Sequence, residues 1–215
     1  MVKIGVLDIQ GSVKEHLESL RRVATGPNLG EVIEPVLVKT IEQLRRVKGL
    51  IIPGGESTTI GKLLRRFGLR EEIIKLAKNG KLAVWGTCAG AILLAKKIIG
   101  KQQADGLKLM DIVVERNAYG RQLDSFETQL EFGGGSKLTA DGQEALGGGV
   151  DSVPAVFIRA PRIVSVGKNV KILAEYKGKV VAARQKNLLV TNFHPEMTDS
   201  LEVHKYFVKM CLGKN

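Results

Sequence analysis

The chain has 215 residues, 44% of them hydrophobic and 26% charged, an ordinary make-up for one globular domain spanning 1–215 with room for a sizeable core. The net charge of +11 is dispersed over pairs such as Arg21-Arg22, Arg45-Arg46, Arg65-Arg66 and Lys96-Lys97, which sit in helical patterns and read as solvated faces, so no nucleic-acid partner is expected. No stretch approaches the roughly 18 uninterrupted apolar residues of a membrane span, and the opening Met1–Asp8 is charged too soon for a signal peptide, so no membrane partner and a cytoplasmic location are expected.

Val2–Leu7 is a short apolar run that reads as a buried first strand, and Val13, Leu17 and Leu20 then mark one face of a helix. Val36–Val38 is a second strand, and Ile41 and Leu44 begin a short helix. Gly49–Ile52 is a third strand, stopped by Pro53-Gly54-Gly55. Ile60, Leu63, Leu64 and Phe67 form a helical stripe, and Ile73, Ile74 and Ala77 another. Leu82–Trp85 is a fourth strand, running through Gly86–Gly90 into an apolar helix over Ala91–Ile99. This alternation predicts parallel βαβ units in a doubly wound α/β sheet flanked by helices.

After about Leu107 the texture changes. Ile112–Val114, Ala155–Ile158, Ile172–Ala174, Val180–Ala182 and Leu188–Val190 are strand-like with few helices between, which predicts an antiparallel extension. A closing amphipathic helix carries Val203, Phe207 and Met210 on one face. Glycine triplets at 133–135 and 147–149 bracket a polar stretch that reads as a mobile surface loop, with a lid or contact loop as the lesser reading.

Chemistry concentrates at three places. Gly86-Thr87-Cys88-Ala89-Gly90, between a strand and a helix, has the form of a nucleophile elbow. The helix start favours a thiolate there, and the Ala89 N–H faces a developing oxyanion. Cys88 by itself also reads as a small buried hydrophobe. His194 and Glu196, two residues apart after the last strand, point the same way on extended backbone, the logic of a base and its orienting carboxylate. A surface ion pair is the alternative for that dipeptide alone. Pro53-Gly54-Gly55-Glu56-Ser57-Thr58 lets backbone approach a ligand, with Glu56 suited to an ammonium group and Ser57 to capping the next helix. His16 and His204 fall in amphipathic helices and read as surface or boundary residues. The two cysteines make no disulfide framework, and the three histidines are too scattered for a zinc site, so no metal is expected.

In this order the three pieces resemble a class I (triad) glutamine amidotransferase of flavodoxin-like fold, and more narrowly the glutaminase-subunit family of pyridoxal 5′-phosphate synthase. The likeness rests on Gly5–Gly11, Pro53–Thr59, Gly86–Gly90, Val114–Asn117, Gly120–Gln122, Ser125–Glu127, Phe157–Pro161 and His194–Glu196, which cover almost the whole chain. Asp8, Trp85 and the length of the glycine-rich stretch depart from the family's usual pattern.

The resemblance implies Cys88 as nucleophile and His194 and Glu196 as its relay. It implies L-glutamine contacts from Gly55, Glu56, Ser57, Arg116, Ile158 and Arg159, with the oxyanion facing Gly54, Gly55 and Ala89. Gln10 falls near the oxyanion region and the partner interface, while Arg121 and Arg162 read as contacts or structural ion pairs. No cofactor is needed for hydrolysis. The ammonia would pass to a separate synthase subunit (the PdxS/SNZ family) in a large hetero-oligomer that makes pyridoxal 5′-phosphate. Two other readings stay open: a Cys-His-Glu enzyme of similar fold serving other chemistry, such as a peptidase or deglycase, and a binding subunit without turnover.

Overall fold

The computed structural model describes residues 1–26, 31–100, 105–116, 125–133 and 151–214. The chain opens β1 (Val2–Leu7), α1 (Val13–Thr25), β2 (Ile33–Val38), α2 (Ile41–Leu44), β3 (Gly49–Ile52), α3 (Ser57–Arg66), α4 (Leu69–Lys78), β4 (Ala83–Thr87) and α5 (Ala89–Leu94). It continues through β5 (Ala95–Ile99), β6 (Met110–Glu115), β7 (Phe126–Phe132), β8 (Asp151–Phe157), β9 (Arg162–Val166), β10 (Lys171–Tyr176), β11 (Lys179–Gln185), β12 (Leu188–Thr191) and α6 (Glu202–Cys211).

Seven strands form the main sheet in the order β10-β11-β12-β4-β3-β1-β2. The five from β12 to β2 are parallel, while β10 and β11 pair antiparallel beyond β12, the expected extension. The period-2 alternation of each strand feeds two cores. Leu50, Ile52 and Val84 face the side covered by α2, α3, α4 and α5. Ile51, Ala83 and Trp85 face the side covered by α1 and α6. A doubly wound α/β architecture follows directly, since a sheet buried on both faces needs helices on both.

Two small sheets complete the layers. β5, β6 and β9 form one, whose Met110, Ile112, Val114 and Ile163 join the α5 side. The antiparallel pair β7 and β8 adds Leu130, Phe132, Val153, Ala155 and Phe157 to the α6 side. On α6 itself, Val203, Phe207 and Met210 are buried, as its periodicity predicts.

The structure corrects the sequence reading at the end of α5. The apolar helix expected over Ala91–Ile99 stops at Leu94, and Ala95–Ile99 is strand. Ala91–Ala95 is an unbroken apolar run and carries no period, so it does not mark where helix gives way to strand. The end is set instead by pairing of Ile98 and Ile99 with Val114 and Glu115. Lys96 and Lys97 are therefore exposed on a strand, not on a helix face. β7 and β9 have no counterpart among the expected strands. Apart from Gly133, the glycine-rich stretch lies outside the described residues, as do Asn117 and Gly120-Arg121-Gln122. Among the described residues, no helix is long and apolar enough to cross a membrane.

Parallel registry sets the level at which the loops leave the sheet. Thr87 pairs with Thr191, and Gly86 with Ile52. The segments that leave β3, β4 and β12 thus emerge at the same level, at the carboxyl edge where ligands bind in open α/β sheets.

Candidate active site

Cys88 stands between β4 and α5 with φ 47° and ψ −99°, a strained backbone for a residue bearing a side chain. Its N–H donates to the Thr191 carbonyl at 2.8 Å, which ties the turn to β12. The flanking glycines are steric necessities. A Cβ on Gly90 would lie 2.2 Å from the Ile52 carbonyl oxygen, and one on Gly86 would lie 2.4 Å from Gly90 backbone. The elbow closes only because neither is there. The Cys88 side chain is largely buried, with Sγ 4.0 Å from the Ile158 carbonyl oxygen.

His194 reaches the same place from the segment after β12. Its N–H donates to the Val156 carbonyl at 2.8 Å, which fixes it against β8. Nδ1 lies 2.8 Å from Glu196 Oε1, and the same oxygen accepts from Ser12 Oγ at 2.7 Å. Burial works against charging this imidazole, but its hydrogen bonds to Cys88 and Glu196 prevail and raise its pKa to about 10. Glu196 is buried too. Desolvation favours its neutral form, yet the facing His16 and the hydrogen bonds from His194 and Ser12 hold it ionised, with its pKa down at about 2. The extended geometry expected for His194 and Glu196 is replaced by a short 3₁₀ turn over Pro195–Met197. The two side chains meet all the same, as a buried pair and not a surface one. A thiol, an imidazole and a carboxylate in sequence can pass a proton off sulfur and return it to a leaving group.

The loop after β3 closes the other side of this centre. Gly54 packs against both partners of the relay: a Cβ there would sit 2.5 Å from His194 Cε1 and 3.5 Å from Cys88 Cβ. Gln10 lies against the next residue, where its Oε1 accepts from the Glu56 N–H at 2.9 Å and would be 2.6 Å from a Cβ on Gly55. Ala89, the first residue of α5, presents an N–H that has no acceptor within the helix.

Glu56, not Ser57, caps α3. Its carboxylate accepts from the Thr58 and Thr59 N–H groups at 3.0 and 2.6 Å, and Ser57 is a buried first helical residue. Desolvation opposes the charge of Glu56, but these hydrogen bonds lower its pKa to about 2. Arg116, at the end of β6, reaches the same cap: its Nη1 donates to Thr58 Oγ1 at 3.2 Å and its Nη2 to Glu56 Oε1 at 3.3 Å. Arg159, with φ 46°, is exposed and follows half-buried Ile158 at the end of β8. Arg162 pairs with Glu115, the structural ion pair that was one of its two readings.

Two histidines depart from expectation. His16 and His204 are wholly buried, not surface or boundary residues. Their helices turn these positions toward the sheet, where His16 packs on Trp85 edge-on at 5.3 Å between ring centres and His204 at 4.9 Å. Trp85 also donates from Nε1 to Thr191 Oγ1 at 3.2 Å. Ser12 and Thr87 likewise touch this network, and nothing in their local sequence marks them for it.

The sequence and the fold have known relatives. The family model for SNO glutamine amidotransferases matches residues 6–213. The chain is 47% identical, over 97% of its length and 99% of the other's, to a protein of Thermoanaerobacter sp. (strain X514) named pyridoxal 5′-phosphate synthase subunit PdxT. It is 49% identical to the protein of that name from Niallia circulans, covering 97% of each. Among solved structures, one described as a glutamine amidotransferase superposes with a TM-score of 0.80 at 41% identity, over 97% of this chain and 98% of that one. PurLQS from Thermotoga maritima shares the fold at a TM-score of 0.66 and 16% identity, covering 99% and 98%. By the length and identity of these matches, the chain belongs to the SNO glutamine amidotransferase family.

Proposed function

We propose that the chain hydrolyses the side-chain amide of L-glutamine at Cys88 and passes the ammonia to a pyridoxal 5′-phosphate synthase subunit. The single observation that carries this reading is the buried line from Cys88 through His194 to Glu196, beneath a strained elbow. The Cys88 thiolate adds to the amide carbon, and the oxyanion faces the N–H groups of Ala89 and the Gly54-Gly55 loop. His194 protonates the departing ammonia. A γ-glutamyl thioester remains, and water deprotonated by His194 cleaves it to glutamate and free thiol.

Arg116 is suited to the substrate carboxylate, and the acidic Glu56 to its ammonium group. Gly55, Ser57 and the Ile158-Arg159 corner complete the glutamine contacts in this reading. The partner is a synthase subunit of the PdxS/SNZ family in a large hetero-oligomer. The names of the relatives and the family resemblance support that assignment. The dispersed positive charge fits an acidic face on that partner, an attraction that added salt screens.

The test is ammonia release from glutamine by the chain alone and with a synthase subunit. Cys88→Ala is expected to abolish release, by more than about a thousandfold. Unchanged release by that variant would overturn the reading, as would no release by the folded wild type under both conditions.

A further inference from the structure

His16 and His204 have no part in the chemistry above, yet they adjoin it. His16 comes from α1 and His204 from α6, and Nδ1 of the first lies 3.0 Å from Nε2 of the second. On its other side, His16 Nε2 lies 3.1 Å from Thr87 Oγ1 and 3.4 Å from Glu196 Oε2. Oε2 is the carboxylate oxygen that neither His194 nor Ser12 engages. It is buried, and among the described residues it has no hydrogen-bond partner of ordinary geometry.

The protons in this chain follow from what each atom is able to do. An ionised carboxylate only accepts, so a proton on His16 is best placed on Nε2, facing Oε2. Nδ1 of His16 is then an acceptor, and His204 must donate to it from Nε2. That leaves Nδ1 of His204 as a bare acceptor, and among the described residues it is indeed without a partner. An unmatched acceptor costs less than an unmatched buried N–H. Burial keeps both rings neutral, with pKa values pushed below the ordinary range, so each ring has one proton to place.

We propose that His16 is a positioning residue of the relay: its Nε2–H, shared between Thr87 Oγ1 and Glu196 Oε2, fixes the carboxylate plane that aims Oε1 at His194, and His204 sets its tautomer. The proposal rests on the relay reading given above. Without His16, Oε2 faces no donor among the described residues, and Glu196 is held through Oε1 alone, about which its carboxylate plane can turn.

The test compares His16→Leu, which removes the donor, with His16→Gln, whose terminal amide returns an N–H near the Nε2 position. Glutamine hydrolysis is measured with the full chain and its synthase subunit. His16→Leu is expected to lose about tenfold or more in kcat with KM within about twofold, and His16→Gln to recover most of it. A second readout needs no glutamine: the rate of Cys88 alkylation by iodoacetamide at neutral pH, mapped by peptide mass. It is expected to fall in His16→Leu and recover in His16→Gln, because a misaimed His194 no longer stabilises the thiolate. A wild type that alkylates rapidly but releases no ammonia would refute the glutaminase reading while leaving this test intact. Equal behaviour of the two variants in both assays, or a His16→Leu kcat within about twofold of wild type, overturns the positioning role. Should His16→Leu fail to fold, His16→Asn replaces it, with its donor at the Nδ1 position, and equal activity of His16→Asn and His16→Gln overturns the proposal.

Discussion

Ser12 Oγ donates to Glu196 Oε1 at 2.7 Å, joining residues 184 positions apart. That oxygen is shared with His194 Nδ1. The start of α1 therefore holds the far end of the relay, and the first and last thirds of the chain meet in one carboxylate.

Ser12→Ala is expected to weaken both stability and turnover. Losing a hydrogen bond to a buried charged group costs about 1.5–3 kcal/mol. Urea unfolding should show a loss of that size, and kcat should fall while KM for glutamine stays close to wild type. A drop in stability with kcat untouched would mean that Glu196 holds its place without Ser12.

The pH dependence of stability should have an arm on each side of neutrality. Glu196 has a folded pKa of about 2, below its ordinary 4.5, so its contribution is present above 4.5 and fades as pH falls toward 2. His16 and His204 are also lowered, from 6.5, so the unfolded chain takes up protons first and stability begins to fall below pH 6.5. His194 is raised to about 10, so its contribution is present below 6.5 and is lost as pH rises toward 10. Urea midpoints measured across pH should show all three trends. Cys88→Ala should flatten the alkaline arm, because a partner that raises the His194 pKa is gone.

Gly90→Ala should prevent the elbow from closing. Its Cβ would press on the Ile52 carbonyl, which belongs to a central strand and cannot yield as a flexible side chain does. A loss of about 3 kcal/mol or more is expected, read as a lowered melting temperature. Gly54→Ala differs in kind, since its Cβ meets the His194 ring. Activity should fall further there than stability does.

Arg116→Met should raise KM for glutamine about tenfold or more, with a smaller change in kcat, if the guanidinium serves binding more than chemistry. Because Arg116 also bonds Thr58 and Glu56, the α3 cap should loosen. A Glu56→Gln variant with unaltered KM would show that the cap alone is the role of that carboxylate.

Much of this protein is legible in its sequence. The alternation of apolar strands and amphipathic helices up to Leu94 is a local property, written in periods of 2 and 3.6 residues, and it fixes the α/β class. The small residues around Cys88 likewise report a backbone need that sequence displays directly, since only glycine tolerates the approach of Ile52 and of the turn itself. Where periodicity vanished, so did the boundary: the run from Ala91 to Ile99 became helix and strand because β6 was there to pair with it.

What sequence could not assign was the company each polar residue keeps. Ser57 looked like a helix cap, yet Glu56 took that place because its longer side chain reaches two N–H groups at once. His16 and His204 share the helical spacing of the apolar faces marked by Val13, Leu17 and Leu20 and by Val203 and Phe207, but a polar residue at that spacing does not say whether a buried partner awaits it. Only the packing of α1 and α6 over Trp85 brings them together, beside a carboxylate oxygen that faces no other donor among the described residues. Local backbone and patterning are determined within a few residues; hydrogen-bond partners 184 positions apart are decided by the parallel registry of the sheet and the helices laid across it.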